Sequence, residues 1–198
     1  MSKPQTKKEA ILQAATVFFS EQGFRDTSMG EIARVSGVAD GTIFYHFKTK
    51  EDLFLAVLKN FKEILLAECQ AYLDENESSS GLAMIEAVIS FYFYLAGKME
   101  ERFLLLHRHY PYKLAEQNPE CRQYLEDIYN CFTDVFERAI LMGQEDGSID
   151  NVPPRKTALI IFTLVDGMVR LGTYNLYHER TLFNELIDSC RRMLTKKE

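Results

Sequence analysis

An all-α chain of about nine helices is predicted for these 198 residues, on three observations. Apolar residues recur at i, i+3 and i+4 nearly throughout, beginning with Ile11, Ala14, Ala15, Phe18 and Phe19. No convincing run of alternating apolar and polar residues marks a strand. Glycine, proline and small polar residues interrupt the periodicity at helix-length intervals.

The first helix should close at Gly23. Ser28-Met29-Gly30-Glu31 has the S-x-x-E form in which hydroxyl and carboxylate satisfy the open amides of a helix start, so a short second helix is predicted there. Gly37 ends it, because a helix C-terminus commonly needs a left-handed residue. A short third helix follows at once. Two short helices joined by a glycine-containing turn and flanked by longer ones form a helix-turn-helix. Leu53, Phe54, Val57, Leu58, Phe61, Ile64 and Leu65 stripe a fourth helix that should run to about Glu75, before Asn76-Glu77-Ser78-Ser79-Ser80-Gly81.

The expected organisation is therefore a small domain at 1–60 and a larger helical one at 61–198, with the long fourth helix as the rod between them. Five more helices are expected near Leu82–Glu101, Arg102–His109, Glu120–Glu145, Arg155–Tyr177 and Leu182–Leu194. The breaks between them are set at Tyr110-Pro111-Tyr112, Asn118-Pro119, Glu145-Asp146-Gly147-Ser148, Pro153-Pro154 and His178-Glu179-Arg180-Thr181.

Charge is divided unequally. The net charge is -6, but residues 1–60 hold eight Lys/Arg against seven Asp/Glu, and residues 61–198 hold fifteen against twenty-two. A local face can bind phosphates while the remainder repels them, so an acidic whole does not exclude DNA. Cys69, Cys121, Cys131 and Cys190 contain no C-x-x-C pair, which points to reduced thiols rather than a zinc knuckle or disulfide framework. The start of the chain lacks a signal-peptide apolar run, and no uninterrupted apolar run of about 18 residues occurs, so a cytoplasmic protein with no membrane partner is expected.

Angles around the third helix separate two faces. With Gly41 at zero and ~100° per residue, Tyr45 falls near ~40°, Thr42 near ~100° and His46 near ~140°. Ile43 and Phe47 fall near ~200° and ~240°, toward the small core, and Phe44 near ~300° lies at the boundary. Tyr, Thr and His donate to phosphate oxygens, and glycine permits close backbone approach. Lys48 and Lys50 follow as further phosphate contacts. Asp40, near ~260°, lies off this arc, where its carboxylate suits amide capping or the positive end of the helix dipole.

The stretch Gly41-Thr42-Ile43-Phe44-Tyr45-His46-Phe47-Lys48-Thr49-Lys50-Glu51-Asp52-Leu53, with Gly23-Phe24, Thr27-Ser28 and Glu31-Ile32-Ala33 before it, closely resembles the TetR family of transcriptional regulators. The resemblance covers about residues 9–58. It implies DNA contacts by Thr27 or Ser28, by Gly41, Thr42, Tyr45 and His46, and by Lys50. Two positions depart from the family pattern: Ala39 replaces a frequent Ser/Thr and Asp40 a frequent Lys/Arg, which removes a usual phosphate contact.

The larger domain is the expected sensor, with a mostly apolar pocket for a hydrophobic or aromatic effector. Its candidate lining is Phe91, Tyr92, Tyr94, Phe103, His107, Tyr110, Tyr129, Phe132, Phe136 and Phe162. The run Phe91-Tyr92-Phe93-Tyr94 carries the idea, since four adjacent aromatics cannot fill one core seam. Arg102, Arg108, His107 and His109 are candidates near the mouth for an anionic group. His107 and His109, two apart on a helix, point away from each other, and neither a metal nor a cofactor is expected. The last two helices form the expected homodimer interface through Phe162, Val165, Asp166, Val169, Arg170, Leu186 and Cys190.

The function expected is a ligand-responsive repressor on a palindromic double-stranded operator. A helical ligand carrier or partner-binding protein that has lost specific DNA recognition is the alternative. An enzyme is not expected: no paired carboxylates, phosphate-binding glycine loop or nucleophile with an identifiable base stands out.

Overall fold

The structure, a computed structural model, describes residues 6–177 and 179–195, without the side chains of 179–181. Among the described residues it is all helical: α1 (Lys7–Glu21), α2 (Gly23–Asp26), α3 (Met29–Val35), α4 (Asp40–His46), α5 (Lys50–Glu75), α6 (Gly81–Lys98), α7 (Glu100–Leu106), α8 (His109–Ala115), α9 (Pro119–Asp146), α10 (Pro154–Thr173) and α11 (Glu179–Leu194). The all-α expectation is confirmed. Two helices exceed the expected nine: the single turn α2, and α8, which covers the expected break at Tyr110-Pro111-Tyr112. Pro111 sits in the first turn of α8, where its missing N–H would have had no intrahelical acceptor.

Two compact units are present, Met1–Ile64 with Glu101–Glu126, and Leu65–Glu100 with Asp127–Glu198. The unit that holds the helix-turn-helix thus also takes in α8 and most of α7. In that unit Ile11, Phe19, Ile32, Ile43, Leu53, Phe54, Leu58 and Phe61 form the core. Phe54 meets Phe19 edge-on at 5.2 Å, Tyr110 of α8 stacks on Phe24 at 3.7 Å, and Phe103 of α7 meets Phe61 at 5.5 Å. Aromatic burial therefore fastens α7 and α8 to α1, α2 and α5.

Local signals explain the helix ends. The capping box forms at Thr6 and Glu9, whose groups exchange hydrogen bonds of 2.7 and 3.2 Å. The box expected at Ser28 and Glu31 does not form: Ser28 takes the extended N-cap backbone, but its hydroxyl makes no capping bond. Gly37 adopts φ 68°, the left-handed conformation expected after α3.

In the second unit, α6 and α9 cross at glycines. A Cβ on Gly81 would lie 2.1 Å from the Gly143 nitrogen, so only glycine allows this approach. The crossing also satisfies the amides that open α6: Gly81 N donates to Asp146 Oδ2 at 2.7 Å and Leu82 N to Ser148 Oγ at 3.1 Å. By length and composition α6 is apolar enough to cross a membrane. Here it is a core helix, with Met84, Ile85, Val88, Ile89, Tyr92 and Leu95 buried.

Candidate nucleic-acid interface

Helix α4 divides as its spacing dictates. Ile43 and Phe47 are buried, at 0% and 5% exposure, while Tyr45 reaches 83% and Phe44 51%. Gly41 is exposed, and Thr42 and His46 are half-buried beside it. The His46 ring stands between Tyr45, edge-on at 5.2 Å, and Phe47 at 6.2 Å, so the core residue and the outward residues brace one another. The result is an outward arc of one tyrosine, one threonine hydroxyl, one imidazole and accessible backbone. Lys48 is exposed immediately after it.

Asp40 opens α4 from the outside. The N-cap is Ala39, and no side chain caps the amides, so of the two roles foreseen for Asp40 only the dipole role fits its place in the first turn.

Two expected contacts take internal roles. Thr27 is buried, and its hydroxyl donates to the Gly23 carbonyl at 2.7 Å and to the Phe18 carbonyl at 3.2 Å. Of the pair Thr27 and Ser28, it is Ser28 whose side chain is exposed. Lys50 Nζ donates to the carbonyls of Thr27 at 2.8 Å and Arg25 at 3.0 Å, and stands 4.7 Å from the Phe24 ring centroid. A cation at carbonyls with no helical partner acts as a clasp between the start of α5 and the link from α2 to α3. The local sequence from Gly41 through Lys50 carried no sign of this, because the partners lie more than twenty residues earlier.

The aromatics proposed as a pocket disperse. The run on α6 divides among three neighbours and solvent: Phe91 stacks on Tyr72 at 3.9 Å, Tyr92 meets Phe132 at 4.6 Å, Phe93 meets Phe183 at 5.3 Å, and Tyr94 is 59% exposed. Tyr92, Phe132 and Phe162 pack on one another in the core, with half-buried Tyr129 against Phe162 and Phe136 fully buried. The Tyr92 hydroxyl donates to Asp166 Oδ1 at 2.5 Å. Phe91 and Tyr94 line an open cleft of about 460 Å³ between α5 and α6, with Tyr72, Glu68 and Glu75. Phe103, His107 and Tyr110 belong to the first unit, the first two buried and Tyr110 stacked on Phe24. Arg102 Nη1 donates to Asn60, and Arg108 to backbone carbonyls of α1.

The interface residues expected on α10 and α11 also turn inward. Phe162, Val165, Val169, Leu186 and Cys190 are buried within the chain, Asp166 holds Tyr92, and Arg170 is exposed. The outward apolar residues are Leu159, Ile160 and Leu164 on α10, with Leu182 and Met193 on α11. Because α10 is apolar on more than one face, its periodicity alone did not say which stripe faces out.

Residues 11–57 match the family model of bacterial regulatory proteins, tetR family. The chain is 25% identical over 176 residues to the fatty acid metabolism regulator protein of Bacillus subtilis, covering 88% of each. To the transcriptional regulator RutR of Escherichia coli it is 41% identical over 83 residues, 42% of this chain and 38% of that one. Its fold superposes on the Bacillus subtilis regulator FadR in complex with stearoyl-CoA with a TM-score of 0.76 at 23% identity, over 94% of this chain and 98% of the other.

Proposed function

We propose that this chain, whose residues 11–57 are a TetR-type DNA-binding domain, is a homodimeric repressor that leaves its operator when a hydrophobic effector, a long-chain fatty acyl-CoA in the first instance, binds its larger domain. The observation that carries the reading is the outward arc of α4. Gly41, Thr42, Tyr45 and His46 offer donors and close backbone approach, Ile43 and Phe47 anchor the helix, and Ser28 and Lys48 extend the face.

Two such helices on a two-fold axis enter successive major grooves roughly 34–36 Å apart, which requires a near-palindromic operator. The outward stripe of Ile160 and Leu164 supplies the surface for the second copy, and nothing lies within 4 Å of a Cβ placed on Gly167, so a partner helix has room to approach. The acyl-CoA assignment is supported by the regulator of fatty acid metabolism that aligns over 88% of both chains, together with the stearoyl-CoA in the FadR complex whose fold this chain shares. Such a ligand acts by favouring the form that does not hold DNA, and a ligand with equal affinity for both forms would release nothing.

Binding-site selection from random duplexes, followed by titration of the selected site with stearoyl-CoA, tests both halves. A selected near-palindrome that is released by the acyl-CoA supports the proposal. A selected site that no acyl-CoA displaces overturns the effector. Failure to select any site at low salt overturns the regulator and favours the carrier, to which the exposed carboxylate of Asp40 at the start of α4 already lends some weight.

A further inference from the structure

Cys69 on α5 and Cys131 on α9 meet inside the second unit, where the Cys69 thiol donates a hydrogen bond to the Cys131 sulfur. The two helices stay alongside each other: beyond the cysteines, Leu73 of α5 and Arg138 of α9 line one cavity of about 360 Å³. Cys69 is 4% exposed, whereas Cys131 is half-buried and reachable from solvent. We propose that Cys69 and Cys131 are a redox-active dithiol, a modification site that a peroxide closes into a disulfide between α5 and α9.

The two thiols divide the labour. The hydrogen bond from Cys69 holds the Cys131 thiol below its ordinary range, against burial and the nearby Asp134 carboxylate. That same bond, then burial and the charge of Glu68, push the Cys69 thiol up. Cys131, the half-buried thiol that a peroxide can reach, is the nucleophile, and it reacts as the thiolate. Its sulfur attacks one peroxide oxygen, the O–O bond breaks, and the other oxygen takes up a proton and leaves as water or an alcohol. Cys131 is then a sulfenic acid. The Cys69 sulfur attacks it, the S–S bond forms, and the sulfenic oxygen leaves as water with the Cys69 proton. Two thiols lose two electrons, and the peroxide gains them.

The other cysteines are poorer candidates. Burial first, with carboxylate charge after it, pushes the thiols of Cys121 and Cys190 up to about 11, and Cys121 is engaged with the Pro111 carbonyl at 3.4 Å.

The test uses the full reduced chain, hydrogen peroxide, thiol titration under denaturing conditions and peptide mapping. Two of the four thiols should disappear, a cross-linked peptide joining Cys69 and Cys131 should form, and dithiothreitol should restore both. In Cys69→Ser a sulfenic acid at Cys131 should be trapped by dimedone, and Cys131→Ser should lose no thiol at the same dose. Absence of the cross-linked peptide from the wild-type chain overturns the proposal, as does loss of Cys121 or Cys190 as fast as Cys131. The wild-type map decides the matter even if a variant does not fold.

Discussion

Arg108 closes the end of α1 by donating through Nε and Nη2 to the Ser20 carbonyl at 2.8 and 2.5 Å, and through Nη2 to the Glu21 carbonyl at 2.7 Å. The last carbonyls of a helix have no partner within it and carry the negative end of its dipole. A guanidinium fork suits that place, and it joins the start of α8 to the helix-turn-helix core. Replacing Arg108 by Ala should destabilise the chain by about 1–3 kcal/mol in urea unfolding. Arg108→Lys should recover only part of this, because an ammonium lacks the planar fork. Equal stability of wild type and Arg108→Ala would remove the clasp from the account.

Exposure separates an outward face from an anchoring face within α4. Tyr45→Ala should leave the unfolding midpoint nearly unchanged while weakening operator binding, since its side chain is 83% exposed. Ile43→Ala, at a fully buried position, should cost about 2–5 kcal/mol of stability. Parallel denaturation and binding titrations check the pair. A Tyr45→Ala variant that binds its selected site at wild-type affinity would take Tyr45 out of the interface.

The two lysines after α4 should respond differently to removal of charge. Lys48 is exposed and unclasped to the turn, so Lys48→Met should lower DNA affinity and reduce the salt slope by about 1, with little change in stability. Lys50 holds the Thr27 and Arg25 carbonyls, so Lys50→Met should lose about 1–3 kcal/mol of stability first. Salt-dependent binding isotherms beside urea titrations distinguish them. Should Lys50→Met change the salt slope and leave the midpoint alone, its place is on the phosphate.

Tyr110 predicts an alkaline weakness. Burial first, then the charge of Glu51, pushes its hydroxyl up to about 12 from the ordinary 10. The folded chain therefore keeps this proton where the unfolded chain has lost it. The stabilisation is complete below pH 10 and is lost as the pH rises from about 10 to about 12. Tyr110→Phe should flatten the fall in stability across that window relative to wild type. Identical alkaline limbs for the two proteins would contradict the burial of this hydroxyl.

The faces of α4 were readable in advance because a short helix must point Ile43 and Phe47 inward to be held at all, and a fixed advance per residue then sends Tyr45 outward. Thr27 and Lys50 were not readable. Each is chemically fit to hold a phosphate, and only the fold brought the Phe18 and Arg25 carbonyls within their reach. Pro111 marked a break in the sequence but stands in a helix, since a first turn tolerates what an interior would not.

Sequence alone determined the all-helical class, the helix-turn-helix and its anchoring residues, because these rest on local spacing and on turn chemistry. Tertiary structure decided which aromatics fill the core and which stripe of α10 faces out. Phe91 and Phe93 are alike in chemistry and differ only in whether Tyr72 or Phe183 stands opposite. Ile160 and Val165 are likewise both apolar, and one is 53% exposed while the other is fully buried. Where neighbouring residues have the same affinity for an apolar environment, only long-range packing breaks the tie.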